Sequence, residues 1–114
     1  MNRVLAFKYA LEGFRSAFRE EPNIKLHIIV ALLVIIAGFY FGISQAEWIV
    51  VIILIGFVIS LEMTNTAIEA VVDSFTDTEH PAAKLAKDIS AGAVLVAAIS
   101  AAIVGIIIFL PYLY

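Results

Sequence analysis

The chain has 114 residues, of which 63% are hydrophobic and 15% charged, with a mean hydropathy of +1.06 and a formal net charge of −3. A soluble domain of this composition could not wet its surface, so the sequence predicts an integral membrane protein. The absence of cysteine excludes disulfides, thiolate nucleophiles and zinc-thiolate sites. The Lys and Arg residues are scattered, which excludes a nucleic-acid partner because phosphate neutralisation requires a clustered basic surface.

The first twenty residues have the pattern of an amphipathic helix, predicted over about residues 3–20. Apolar residues recur there at alternating spacings of three and four, with charged residues between them: Val4, Phe7, Leu11, Phe14 and Phe18. We expect such a helix to lie along the membrane surface. Pro22 cannot continue it but suits the first turn of a following helix, so Glu21 is predicted to lie at a bend.

Three apolar runs are each long enough to cross a hydrocarbon core of about 30 Å. They cover about residues 24–43, 48–72 and 89–110. Trp48 follows the first turn and has the ring typical of the lipid–water boundary, and Lys25 with His27 are expected to be interfacial anchors. Small residues fall every four positions in the third span and predict a helix-packing surface: Ala93, Ala97, Ala101 and Gly105.

The predicted fold is therefore a single all-α membrane domain over residues 1–114, with a surface helix and three transmembrane helices. The first 25 residues carry five Lys or Arg and the 73–88 connection two, whereas the 44–48 turn and the C-terminus carry none. The positive-inside rule then places the N-terminus and the 73–88 connection in the cytoplasm of a bacterial cell, with the chain in the plasma membrane. A chain this short encloses little by itself, so we expect a homo-oligomer.

Polar residues cluster at the cytoplasmic end of the second span. Counting about twenty residues at 1.5 Å each from Trp48 places the boundary near residue 67. One helix face carries Glu62 and Asn65 just inside that limit, with Glu69 and Asp73 just outside. The neighbouring segments bring Glu21, Lys87 and Asp88 to the same layer, which indicates a functional site at the interface.

A carboxylate within the hydrocarbon costs on the order of 3 kcal/mol, so Glu62 must be paired, neutral or next to a polar cavity. Two acids in opposed environments are typical of a base beside a metal-binding carboxylate. Oxygen ligands without sulfur favour Mg²⁺, and magnesium in turn favours a phosphate substrate. The sequence contains no glycine-rich phosphate loop, which excludes ordinary soluble kinase and P-loop architectures. Asp73 is equally well explained as the solvated end of the helix.

Two stretches carry a resemblance to a known family. LEMTNTAIEAVVD, residues 61–73, and AKDISAGAVLVAA, residues 86–98, resemble the signature stretches of the prokaryotic diacylglycerol kinase family, and the similarity extends over nearly the whole chain. The resemblance implies a homotrimer that transfers the γ-phosphoryl group of Mg-ATP to the hydroxyl of a membrane lipid at the cytoplasmic interface.

The same resemblance implies roles for individual residues. Glu62 matches the catalytic base, where it also meets the lipid hydroxyl, and Asn65 orients the site beside it. Glu21 and Glu69 match the carboxylates that hold Mg²⁺ against ATP. The residues implied in nucleotide binding are Tyr9, Glu21, Glu69, Thr78, Glu79, His80, Lys87 and Asp88. Two positions depart from the enterobacterial branch, which has an arginine in place of Asn2 and a glutamate in place of His27.

Within the family, EEPNIKLH and TEHPAAKLAKD are more similar to the Gram-positive branch, whose members act mainly on undecaprenol. This similarity implies an undecaprenol kinase that gives undecaprenyl phosphate. A diacylglycerol kinase that gives phosphatidic acid is the alternative. A non-enzymatic oligomeric channel is a remote third possibility, and it predicts polar residues through the full depth of a span, whereas this sequence has them at one end.

Overall fold

The polypeptide forms a row of long helices joined by short connections. The computed structural model describes residues 2–76 and 80–114. In these ranges the helices are α1 (Arg3–Glu20), α2 (Pro22–Phe41), α3 (Gln45–Phe75) and α4 (Pro81–Phe109), followed by a short 3-10 helix, Leu110–Leu113. Three segments are long and apolar enough to cross a membrane: Pro22–Phe41, Gln45–Phe75 and Pro81–Leu113. The predicted all-helical class with three membrane spans is confirmed.

The junction between α1 and α2 is built around Glu21. Its backbone is extended, which ends α1, and Pro22 occupies the first position of α2. The Glu21 carboxylate accepts a hydrogen bond from the backbone N–H of Asn23 at 3.1 Å, so it caps the start of α2. This cap fixes the side chain of Glu21 at the N-terminal end of α2, where the first span begins.

The turn between α2 and α3 reverses the chain through a glycine and a capping box. Gly42 adopts the left-handed conformation (φ 65°), which glycine tolerates without steric cost. Ser44 accepts from the backbone of Glu47, and the Glu47 carboxylate accepts from the backbone of Ser44. The Tyr112 hydroxyl also donates to the Glu47 carboxylate, which ties the 3-10 helix after α4 to the start of α3.

A cluster of buried apolar side chains lies at this turn. Ile43, Val51 and Ile108 are buried there, surrounded by partly buried aromatic side chains. The Trp48 ring covers Gly38 so closely that a Cβ atom at position 38 would lie 2.6 Å from the ring. Only a hydrogen fits at position 38, so this glycine is required by the close approach of α2 to Trp48.

Helix α3 packs against α4 and α2, and α1 contacts both α2 and α3. Between α2, α3 and α4 lies an open groove with a cavity volume of about 640 Å³. Its lining is apolar except for His27 at one end, and it includes Ala101 and Gly105 of the small-residue ridge in α4. The ridge therefore faces partly into the groove, and a Cβ at Gly105 would have no neighbour within 4 Å in the described chain.

The packing at Gly38 predicts the outcome of a matched pair of glycine substitutions. Gly38→Ala should lower the free energy of unfolding by about 1–3 kcal/mol, because the Trp48 ring must move to admit the methyl group. Gly56→Ala in α3 is the control, since a Cβ there meets nothing within 4 Å and alanine is the better helix former. Thermal unfolding in detergent measures both, and a Gly38→Ala variant as stable as the wild type would contradict the packing described.

Candidate active site

One face of α3 carries the polar residues, and their burial falls steadily along the helix. Glu62 and Asn65 are buried, with relative exposures of 2% and 7%. Glu69 is half-buried and Asp73 is exposed. The face therefore begins with a buried carboxylate, Glu62, and ends with a solvated one, Asp73. Their helical spacing places them on the same side of α3.

Glu62 is paired with His27 of α2. The distance from Nε2 of His27 to Oε2 of Glu62 is 3.6 Å, and the two side chains are 22% and 3% exposed. The other carboxylate oxygen, Oε1, is buried and has no hydrogen-bond partner within residues 2–76 and 80–114. A buried, unpartnered carboxylate oxygen is costly, and Oε1 is free to accept a hydrogen bond from a group that binds beside it.

Asn65 links Glu69 to helix α4. Its Nδ2 donates to Oε1 of Glu69 at 3.3 Å, and its Oδ1 accepts from the hydroxyl of Ser90 at 2.5 Å. Because both ends of the amide are engaged, its orientation is set by α4 as well as by its own helix. Asn65 thus holds the Glu69 carboxylate in position about two turns along α3 from Glu62.

Glu21 and Glu69 both lie near Glu62. Each carboxylate is close enough for its charge to repel that of Glu62, whereas His27 attracts it. Acids from the α1–α2 junction and from α3 therefore converge on one end of the bundle. Glu21 comes to this place through its cap on α2, and Glu69 through its bond to Asn65.

Glu21, Glu62 and Glu69 form an acidic cluster, and its oxygen donors are of the kind that magnesium binds. In the part of the chain that the structure describes, no group of three or more His, Asp or Glu side chains is arranged to enclose a metal ion alone. Mg²⁺ does not require such a cage, because it commonly binds one or two carboxylates together with substrate phosphates and water. Glu21 and Glu69 supply carboxylate oxygens of this kind.

The predicted nucleotide-binding pair, Lys87 and Asp88, is engaged in ion pairs. Lys87 Nζ donates to Oδ1 of Asp73 at 2.9 Å, and Lys84 Nζ donates to Oδ2 of Asp88 at 2.6 Å. Exposed pairs of this type contribute little to stability. Lys87 can therefore exchange Asp73 for a phosphate group at small cost.

The remaining predicted residues are less closely connected to this cluster. Tyr9 is exposed on α1, and within the described ranges no hydrogen bond joins it to the polar face of α3. His80 caps α4, since its Nδ1 accepts from the backbone N–H of Ala82 at 3.2 Å. Thr78 and Glu79 lie outside the described residues.

Three contacts at the site were not predicted from the sequence: those of His27 with Glu62, of Lys87 with Asp73 and of Ser90 with Asn65. His27 was expected to be an interfacial anchor, Asp73 had an equally good explanation as a helix end, and Ser90 was not considered. A local pattern could not reveal these pairings, because the partners lie on different helices. The usable signal for His27 and Ser90 was depth, since both are polar and close to the level predicted for Glu62, whereas Asp73 lies about 16 Å further along α3.

Comparison with known proteins identifies the family of the chain. The family model described as prokaryotic diacylglycerol kinase matches residues 8–109. The chain is 46% identical to the undecaprenol kinase of Bacillus subtilis over 108 residues, which cover 95% of this chain and 88% of that protein. It is 39% identical to a diacylglycerol kinase of Synechocystis over 111 residues, 96% of this chain but only 63% of that longer relative. A diacylglycerol kinase of Escherichia coli is 30% identical over 100 residues, 88% of this chain and 82% of the relative.

The resemblance stated from the two signature stretches is therefore confirmed across the spans and the polar face of α3. The match includes every described residue discussed above for the acidic cluster. The chain belongs to the prokaryotic diacylglycerol kinase family and is a membrane lipid kinase.

Proposed function

We propose that this lipid kinase transfers the γ-phosphoryl group of ATP to undecaprenol, giving undecaprenyl phosphate. The observation that carries the proposed chemistry is the buried Glu62 carboxylate, whose Oε1 has no hydrogen-bond partner among the described residues. The choice of alcohol is supported by the 46% identity to a protein named undecaprenol kinase. Diacylglycerol is the second candidate, because the Synechocystis and Escherichia coli relatives are named diacylglycerol kinases.

In the proposed reaction Glu62 acts as the base. Its free Oε1 accepts the proton of the lipid hydroxyl, so that the alcohol oxygen attacks the γ-phosphorus while the bond to ADP breaks. A carboxylate in a poorly solvated position is a stronger base than one in water, because burial disfavours its charged form. Asn65, whose own orientation is set by Ser90, contributes by holding the Glu69 carboxylate in position.

Glu21 and Glu69 are proposed to hold Mg²⁺, which when bound neutralises charge on the ATP phosphates. Lys87 is proposed to leave Asp73 for a phosphate group, and Asp88 to contact the nucleotide from the same turn of α4. Tyr9, Thr78, Glu79 and His80 complete the proposed nucleotide-binding set. Support for the metal comes from the all-oxygen donor set and from the placement of both carboxylates near Glu62.

We further propose that the protein is a homotrimer in the bacterial plasma membrane. The N-terminus and the active site would face the cytoplasm, with α1 lying on the membrane surface. The open groove between α2, α3 and α4 supports association, because Ala101 and Gly105 line it and would admit a closely packed helix from another copy. Light scattering of the protein in detergent measures the number of chains.

The groove between α2, α3 and α4 does not favour the alternative function, an aqueous channel. Its lining is apolar except for His27, whereas a conducting pore needs polar groups along its length. The polar residues of α3 are confined to one end of the helix, which matches a reaction site at an interface better than a path across the membrane.

The substrate proposal is tested by offering both alcohols to the purified protein in one assay. With labelled ATP and Mg²⁺ in mixed micelles, kcat/KM for undecaprenol should exceed that for diacylglycerol by at least about tenfold, which corresponds to about 1.4 kcal/mol of differential transition-state binding. A preference for diacylglycerol would replace the proposed substrate by the second candidate. Transfer to neither alcohol would reject the proposed function.

Removing the charge of the proposed base should abolish most of the activity. Glu62→Gln preserves the size of the side chain but cannot accept the proton, so kcat should fall by about 10²–10⁴-fold with little change in the KM for ATP. Glu47→Gln at the opposite end of α3 is the matched control and should keep the wild-type kcat. Equal activity of Glu62→Gln and wild type would show that Glu62 is not the base.

The proposed metal ligands predict a specific change in magnesium dependence. Glu21→Gln and Glu69→Gln should each raise the Mg²⁺ concentration needed for half-maximal rate by about tenfold or more, because a neutral amide replaces a charged ligand. Glu20→Gln, at the exposed residue before Glu21, should leave this concentration unchanged. Magnesium titrations of the initial rate distinguish the three variants, and identical curves for all of them would exclude the assigned ligands.

A further inference from the structure

We propose that His27 is a proton-relay residue, which receives the proton that Glu62 takes from the substrate and passes it to water. The inference rests on the proposed function, since it concerns the fate of the proton released in phosphoryl transfer. It assigns a role in the reaction to a residue of α2 that otherwise would only anchor the first span.

The two oxygens of Glu62 have different surroundings, and this difference is the basis of the relay. Oε2 faces Nε2 of His27 at 3.6 Å, whereas the buried Oε1 has no hydrogen-bond partner in the described part of the chain. One oxygen is therefore open to the substrate hydroxyl while the other faces the imidazole. A separation of 3.6 Å is longer than a hydrogen bond, and catalytic contacts of this kind commonly shorten when substrate binds.

Glu62 needs a way to lose its proton after each turnover. Its side chain is only 3% exposed, so direct transfer to bulk water is obstructed, whereas the His27 side chain is 22% exposed in the single chain and lies within two turns of the start of α2, at one end of the apolar groove. The other charged groups that act on Glu62 are Glu21 and Glu69, which are acids and repel its negative charge. Among the described residues, His27 is the one basic side chain within 4 Å of the Glu62 carboxylate.

The proton balance of the proposed sequence is complete without another reactant. The alcohol O–H bond breaks as its proton moves to Glu62, the O–P bond to the γ-phosphoryl group forms, and the P–O bond to ADP breaks. The imidazolium of His27, which is paired with Glu62 before the reaction, releases its proton to water, and the carboxylic proton of Glu62 moves to the lone pair on Nε2 that this exposes. The cycle thus returns Glu62 as a carboxylate and His27 as an imidazolium.

Chemical rescue of a His27 variant tests the relay. His27→Ala should lower kcat by about 10²-fold while the KM for ATP stays within about twofold of wild type, because a relay acts on the chemical step. Added imidazole should restore kcat at least about tenfold, whereas pyrazole, which has a similar shape but is a much weaker base, should not. His27→Gln, which retains a polar side chain of similar length but cannot carry the proton, should be slow and should gain nothing from imidazole.

His80→Ala controls for non-specific effects of imidazole, because His80 is the other histidine of the chain. Imidazole should not raise the rate of that variant, whatever its own activity. Thermal unfolding and the mass of the detergent complex report whether each variant is folded, and His27→Gln carries the test if His27→Ala does not assemble.

Several results would overturn the relay. These are a wild-type kcat in His27→Ala or in a folded His27→Gln, equal restoration by imidazole and pyrazole, or a slow, folded His27→Ala that imidazole does not restore. If wild-type protein phosphorylates neither alcohol, the proposed function fails and the relay fails with it. If wild type is active and only the His27 results disagree, the relay alone is rejected.

Discussion

The burial of one carboxylate, Glu62, is the constraint on which the rest of the site depends. An ionised carboxylate within an apolar bundle costs on the order of 3 kcal/mol by insertion scales, so it persists only where its surroundings compensate for it. Here one oxygen is compensated by the imidazole of His27 and the other is left without a protein partner in the described chain. The chain thus tolerates an incompletely satisfied group at the position where a lipid hydroxyl would have to be activated, which is typical of a site that sacrifices stability for chemistry.

The length of α3 determines how this buried group is connected to the aqueous side. The helix has 31 residues, which span about 46 Å, whereas a hydrocarbon core is about 30 Å thick. The excess continues as the same helix beyond the apolar part and carries Glu69 and Asp73. Glu62 and Glu69 are therefore fixed about 10 Å apart along one rigid element, and no hinge lies between them. A membrane alcohol and a soluble nucleotide can then be held at adjacent depths by one helix face, without a glycine-rich loop.

The sequence was sufficient for the helices but only partly sufficient for the site. Apolar run length, Pro22 and the turn at residues 44–48 are local signals, and they predicted the three spans that the structure contains. The shared face of Glu62, Asn65 and Glu69 followed from helical spacing, and their roles in catalysis and metal binding remain predictions. The contacts of His27 with Glu62 and of Ser90 with Asn65 could not be predicted, because they depend on the rotation of α2 and α4 about their own axes relative to α3. Spacing within one helix contains no information about that rotation.

The charges of the site explain why nucleotide and cation would have to enter together in the proposed reaction. Glu21 and Glu69 both act on Glu62 at one end of the bundle, and the nearby Lys87 is already paired with Asp73. A polyphosphate that approached this cluster alone would be repelled by its carboxylates, and the freed Lys87 would offset only part of that repulsion. A divalent ion shared between Glu21, Glu69 and the phosphates reverses the sign of the interaction, since the carboxylates then become ligands. The acids that disfavour free ATP would thus favour its magnesium complex, and Glu62, which is buried and paired with His27, would remain available as the base.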